Sequence, residues 1–299
     1  MKVVYSFYSG PYAGDPATNP GNWSNPGVEF LIWAWSVLET RKWASKVELV
    51  TDDFGAALFD ELGIEFDSVV TALNNVEPSG GKLWAIGKLE AYALQDEPFM
   101  HLDGDAWFAT PPSDDILAYR LACQSKEDAT PGSPYARCLR EVLQGTDDVF
   151  PYRLFHAIGP RTPVASCLSV YVCNDLEFNL EYCTQARSFY DEWVAKKPGS
   201  FQDLQEWNIV VEQLMFGELC YQTYGFEPAY LLPTTKLDSR TNDIDFCHVW
   251  GAKRGNPANL QSLRRLRVDH PELYHRIAAR FDLQRTLDRQ LSKGTASHA

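Results

Sequence analysis

Over its first hundred residues the chain alternates short β-branched runs with stretches of helical periodicity, and that alternation admits few folds. Val3 to Phe7 reads as an opening strand. A long loop rich in Gly, Pro and Asn, from Ser9 to Pro26, separates it from a helix over Val28 to Trp43, where Phe30, Leu31, Trp33, Ala34, Val37, Leu38 and Trp43 recur at mainly helical spacing. Val47 to Thr51 is a second strand, with Asp52 or Asp53 placed to cap the helix running to Leu62. A strand at Phe66 to Val70, a helix at Leu83 to Leu94 and an apolar strand at Pro98 to Leu102 follow. Strands separated by helices of this length pair in parallel through crossover connections, so an α/β domain is expected.

Farther on, strands are expected at Arg120 to Ser125 and Leu168 to Cys173, and helices near Tyr135 to Leu143, Leu176 to Ala195 and Asp203 to Leu219. A strand then leads through Phe246-Cys247-His248-Val249-Trp250 to Gly251. Beyond Pro257 the pattern is helical, with Leu273, Ile277, Phe281, Leu287 and Leu291 as the packing stripe. The domain is thus expected over residues 1–255, with a helical C-terminal extension over 256–299 packed on it.

The net charge of −13 excludes broad attraction to nucleic acid or to an anionic membrane. It is unevenly spread: ten Lys or Arg against four acids from Lys253 to Ala299 leave +6 there and −19 elsewhere. A basic helical face docking on an acidic body accounts for this, as does a cationic wall beside a phosphate. Seven cysteines, odd in number and without Cys-x-x-Cys spacing, read as reduced, packed thiols. The N-terminal Met1-Lys2-Val3-Val4-Tyr5 lacks a signal-like apolar run and no stretch is long enough to span a bilayer, so a cytoplasmic protein is expected.

The chemistry starts where Phe99-Met100-His101-Leu102 runs into Asp103-Gly104-Asp105. Ligands of open α/β sheets bind beyond the carboxyl ends of strands. Two carboxylates crowded there repel each other unless a cation neutralises them, and hard oxygen donors suit Mg²⁺ or Mn²⁺. Gly104 lets the backbone turn and approach a ligand closely. His101 alternates away from Leu102, which puts it either near the metal site or in the sheet, with sheet packing the favoured reading. Tyr5 and Ser6, closing the first strand, are candidates for stacking on or bonding to a nucleobase. The tryptophans read as core residues, with Trp23, in the long loop, the exception that could serve a sugar. Glu206, Trp207 and Asn208 are possible acceptor contacts.

The run Leu83-Trp84-Ala85-Ile86-Gly87-Lys88-Leu89-Glu90-Ala91-Tyr92, with Lys88 fifteen residues before Asp103, resembles GT-A glycosyltransferases of the glycogenin and galactosyltransferase type, family eight. A second match is Phe246-Cys247-His248-Val249-Trp250-Gly251-Ala252-Lys253-Arg254, similar to that family's His-x-x-Gly-x-x-Lys segment. The resemblance covers roughly residues 1–255. It implies a Rossmann-like GT-A fold with a mixed, mostly parallel sheet flanked by helices, and Mn²⁺ (or Mg²⁺) held by Asp103, Asp105 and His248. Asp103 would also meet the donor diphosphate or ribose, Lys88 would approach the donor near the transferring sugar or its phosphates, and Lys253 or Arg254 would meet the diphosphate. Val211-Glu212-Gln213-Leu214 resembles the family's Asp-Gln pair, which puts Glu212 and Gln213 near the donor sugar and acceptor as candidates to stabilise or orient an oxocarbenium-like transition state. The family's Asn-x-Gly is missing from Ser166-Cys167-Leu168-Ser169-Val170, which leaves the donor sugar open.

The activity implied is transfer of a sugar from a nucleotide diphosphate donor, UDP-linked by resemblance, to an unidentified sugar, peptide or small metabolite. Paired acids with a metal also serve nucleotidyltransferases, although the first strand lacks a Gly-rich phosphate loop. A non-catalytic binding protein on the same fold is the remaining reading.

Overall fold

The computed structural model describes residues 1–12, 15–16, 23, 25–76, 83–127, 129–143, 161–194, 206–233, 244–249 and 257–283. Strand β1 (Lys2–Phe7) is buried along almost its whole length. Helix α1 (Pro26–Thr40) starts at Asn25, whose side chain accepts from Gly27 N at 2.9 Å, with Pro26 occupying the first turn. Its apolar residues surround the helix because it is covered twice, by the sheet on one side and by the last two helices on the other. After β2 (Lys46–Thr51) the expected cap is Asp52, which accepts from Gly55 N at 2.7 Å and starts α2 (Asp53–Leu62). Gly63, at φ 72°, closes that helix in the left-handed conformation open to glycine.

Next come β3 (Ser68–Val70), α3 (Trp84–Ala93), β4 (Phe99–Leu102), β5 (Ala106–Phe108), α4 (Asp114–Ala118), β6 (Leu121–Lys126), α5 (Pro134–Leu143) and β7 (Ser166–Cys173). Helix α6 (Leu176–Phe189) continues into a π-helical segment at Tyr190–Val194. A second π-helical turn, Val210–Leu214, precedes α7 (Met215–Tyr224), β8 (Ala229–Tyr230), β9 (Phe246–His248), α8 (Pro257–Asp269) and α9 (Pro271–Arg280). Strands β5 and β8 and helix α4 were not anticipated: elements of two to five residues carry too little periodicity to register.

Seven strands form one sheet in the order β3-β2-β1-β4-β7-β6-β8. Strands β3, β2, β1 and β4 run parallel, β7 is antiparallel to both β4 and β6, and β8 is parallel to β6. The mixed, mostly parallel sheet flanked by helices is the expected architecture. One core fills the face under α3, α6 and α7, the other the face under α1, α2, α8 and α9, where Leu263, Leu266 and Ile277 pack with residues of β1 and α1. Arg280 ties α9 to Asp15 and Glu61 at 3.3 and 3.0 Å, so part of the basic tail docks on acidic partners as its composition suggested. Leu287 and Leu291 lie outside the described residues. All seven cysteines are free thiols and only Cys247 is not fully buried. Among the described residues no helix is long and apolar enough to cross a membrane.

Because the chain adds β2 and β3 on one side of β1 and β4 on the other, the strand order reverses between β1 and β4. In open α/β sheets ligands bind beyond the carboxyl ends of the strands at such a reversal, and β4 delivers Asp103 there.

Candidate active site

The Asp103-Gly104-Asp105 turn joins β4 of the large sheet to β5 of a separate two-stranded ribbon, β5–β9. The antiparallel register sets Ala106 opposite His248, and Val249 N donates to Asp105 O at 3.0 Å. A residue more than a hundred positions downstream is thereby fixed beside the acid pair. Asp103, Asp105 and His248 each offer a ligand atom, and these lie within 4.8 Å of one another. His248 Nε2 stands 3.7 Å from Asp105 Oδ1. Gly104 is required here for space rather than for a left-handed turn: a Cβ on it would overlap the Trp33 indole.

An ion with ligand bonds of about 2.1 Å places opposite ligands roughly 4.2 Å and adjacent ones roughly 3 Å apart. Three ligand atoms within 4.8 Å of one another are near enough for one ion to draw together, and two carboxylates with an imidazole suit a divalent cation.

Lys88, at 6% exposure, lies beneath the acids. It donates to Asp103 Oδ1 at 2.7 Å, to Glu212 Oε1 and to the Leu168 carbonyl at 3.3 Å. An ammonium has three protons, and these three acceptors use them all. Burial pulls the Lys88 ammonium down, but Asp103 and Glu212 outweigh it and hold it above the ordinary lysine value. Lys88 thus has all three of its protons taken by protein acceptors. It braces Asp103 from behind.

Glu212 is wholly buried in the π-helical turn. Burial drives its carboxyl up and Lys88 draws it back, leaving it at about 7. Gln213, next in the chain, is half-buried and accepts from the Tyr135 hydroxyl through Oε1. His101 is buried beside Asp103, 4.0 Å from Nδ1 to Oδ1, with Ser6 Oγ 3.0 Å from its Nε2. Burial and then the Lys88 charge depress the imidazole far below its usual range, so it stands neutral.

Tyr5 is not brought to this group. Its ring is fully buried against α1 and its hydroxyl meets Ser36 Oγ at 2.9 Å and Thr40 Oγ1 at 2.7 Å. A phenol so enclosed cannot stack on a base, whereas Ser6, by strand alternation, faces His101. Trp23 is buried at 6% exposure and belongs to the core. Glu206 is paired with Arg137, Trp207 is buried, and Asn208 Oδ1 accepts from Ala85 N at 3.0 Å at the start of α3. Trp207 and Asn208 are thus enclosed in the core, while Glu206 stays part-exposed. Lys253 and Arg254 lie outside the described residues.

One residue that no motif announced completes the arrangement. Gln124 of β6, at 1% exposure, takes the Ser169 hydroxyl on Oε1, and the same oxygen is 2.8 Å from His248 Nδ1. The β6–β7 ladder is irregular here, its register passing from Cys123–Tyr171 to Ser125–Cys167, so Gln124 alone faces Leu168, Ser169 and Val170. The carbonyls of that stretch turn to the site: Leu168 O accepts from Lys88, and Ser169 O from Asp103 N at 2.8 Å.

A protein-family model described as "Family of unknown function (DUF6734)" matches residues 1–280. No curated protein matches the chain. Among solved structures, the glycosyltransferase GlyE of Streptococcus pneumoniae TIGR4 is similar at 9% identity and a TM-score of 0.34, over 72% of this chain. This chain spans only 44% of that one. An active-site mutant of the galactosyltransferase LgtC is similar at 9% identity and a TM-score of 0.40, covering 84% of this chain and 88% of its own. The inositol-1-phosphate CTP transferase from T. maritima is similar at 11% identity and a TM-score of 0.36, covering 93% and 96%. Likeness at TM-scores below 0.5 carries no weight for activity, which has to be read from the residues themselves.

Proposed function

We propose that this chain, which belongs to the family of unknown function DUF6734, is a metal-dependent glycosyltransferase that takes a nucleotide diphosphate sugar as donor. The observation carrying the reading is the convergence of Asp103, Asp105 and His248 at the strand-order reversal, from segments far apart in sequence. The order of Lys88, Asp103, Asp105 and His248 along the chain, which resembles that of GT-A glycosyltransferases, directs the reading to sugar transfer and to a UDP-linked donor.

Bound there, Mn²⁺ or Mg²⁺ would act as a Lewis acid on the diphosphate as the glycosidic bond breaks. The protein's task is to position charge in advance of that moment. Asp103, braced by Lys88, and Asp105, locked to the β5–β9 ribbon, present fixed carboxylates. His248 presents a ring nitrogen from the opposite strand. Glu212, too buried to touch a substrate, acts by holding Lys88, and the half-buried Gln213 beside it is the candidate to meet the donor sugar. Lys253 and Arg254 follow His248 closely enough in sequence to supply cationic contacts to the diphosphate.

The test is a panel of nucleotide sugars incubated with the full chain and Mn²⁺, with and without EDTA, followed by quantitation of released nucleoside diphosphate. Release that requires Mn²⁺ and disappears in Asp105→Ala is expected. Pyrophosphate released from a nucleoside triphosphate would make the chain a nucleotidyltransferase instead. Turnover of no donor, with nucleotide binding indifferent to EDTA, would leave a binding protein and overturn the proposal.

A further inference from the structure

A carboxamide oxygen has two lone pairs and donates nothing. Gln124 Oε1 receives the Ser169 hydroxyl on one, so the contact at 2.8 Å to His248 Nδ1 is made by an Nδ1–H donating to the other. In the neutral ring the lone pair then resides on Nε2, the nitrogen 3.7 Å from Asp105 Oδ1. We propose that Gln124 is a positioning residue for His248: it selects the tautomer whose Nε2 joins the two carboxylates as a ligand, and it sets the plane of the ring. This inference rests on the metal reading above.

Three features of the surroundings serve that role. Gln124 lies where the β6–β7 ladder loses register, and irregularities of this kind re-aim side chains. Its backbone is held on the other side, Leu232 N donating to Gln124 O at 2.7 Å. Ser169, which fixes the carboxamide, also gives its carbonyl to Asp103 N at 2.8 Å, so one strand segment orients the imidazole and an acid together. Hydrogen bonds to the distal nitrogen of a ligating histidine fix its tautomer and raise its basicity, and their loss costs about 10–100-fold in metal affinity.

Two readouts test this. In the metal-free full chain labelled with ¹⁵N-histidine, long-range proton–nitrogen correlation, with His248 assigned by the His248→Gln variant, should show the proton on Nδ1; a proton on Nε2 would overturn the proposal. In calorimetric titration with Mn²⁺, Gln124→Leu should bind about 10–100-fold more weakly than the parent. Gln124→Glu, which keeps an acceptor at the same place, should retain affinity near the parent's. A folded Gln124→Leu that binds Mn²⁺ as the parent does, or a Gln124→Glu as impaired as the leucine variant, refutes the role. Should the leucine variant fail to fold, the tautomer and the glutamate variant decide. A parent that binds no Mn²⁺ while showing Nδ1–H would remove the metal reading alone.

Discussion

Replacing Lys88 by Met removes the buried cation that faces two acids, Asp103 and the fully buried Glu212. Breaking a buried ion pair from one side costs about 3–5 kcal/mol, because the remaining charge is left without compensation. The pH dependence identifies which charge is responsible. Glu212 sits at about 7 in the parent against an ordinary 4.5, so between those values the folded state binds the extra proton and stability falls as pH rises. At pH 6 the parent carboxyl is mostly protonated and asks little of Lys88; at pH 8 it is ionised and depends on it. Without the ammonium, Glu212 stays protonated over the whole interval. The variant's deficit should therefore grow by about 1 kcal/mol from pH 6 to pH 8, one proton over one pKa unit. Urea unfolding of both proteins in EDTA at the two pH values measures this, with Lys88→Met/Glu212→Gln as the companion. The double variant should recover most of the loss. A deficit equal at both pH values and untouched by the second substitution would refute the reasoning.

Gly104→Ala forces a methyl into the Trp33 indole, and such overpacking costs about 1–3 kcal/mol; thermal unfolding should show the loss, and Mn²⁺ titration should show weaker binding because the same turn carries both aspartates. Tyr5→Phe removes hydrogen bonds to Ser36 and Thr40, a cost of about 1–3 kcal/mol where buried partners are left unsatisfied, while nucleotide affinity should not change. A loss of nucleotide affinity in that variant would return Tyr5 to the site.

The alternation of strand and helix patterns was legible because the strands and helices up to β4, the three-residue β3 aside, are long enough to show their period, and Asp52 carried its capping chemistry openly. Asp103, Asp105 and His248 could be picked out as residue types in order along the chain. What joins them could not: β5 has three residues, and its register with β9 is a tertiary fact. Lys88 was recognisable but its partners were not, since Glu212 reaches it from a turn of π-helix whose geometry leaves no mark on residue spacing. Gln124 was invisible for a similar reason. A lone glutamine in Leu121–Lys126 has no motif, and only a local loss of register opposite Leu168–Val170 directs it to His248. The same limit explains Tyr5 and Trp23, whose aromatic rings suit a ligand or a core equally until the packing partners are known.

Electron–nuclear double resonance on the full chain loaded with one equivalent of Mn²⁺ interrogates the proposed ligand set itself. A nitrogen coupling from one histidine, abolished in His248→Gln and retained in a control variant at the exposed His275, is the predicted spectrum. A spectrum of the parent with water couplings alone and no nitrogen would contradict the convergence of position 248 with the two aspartates on a cation.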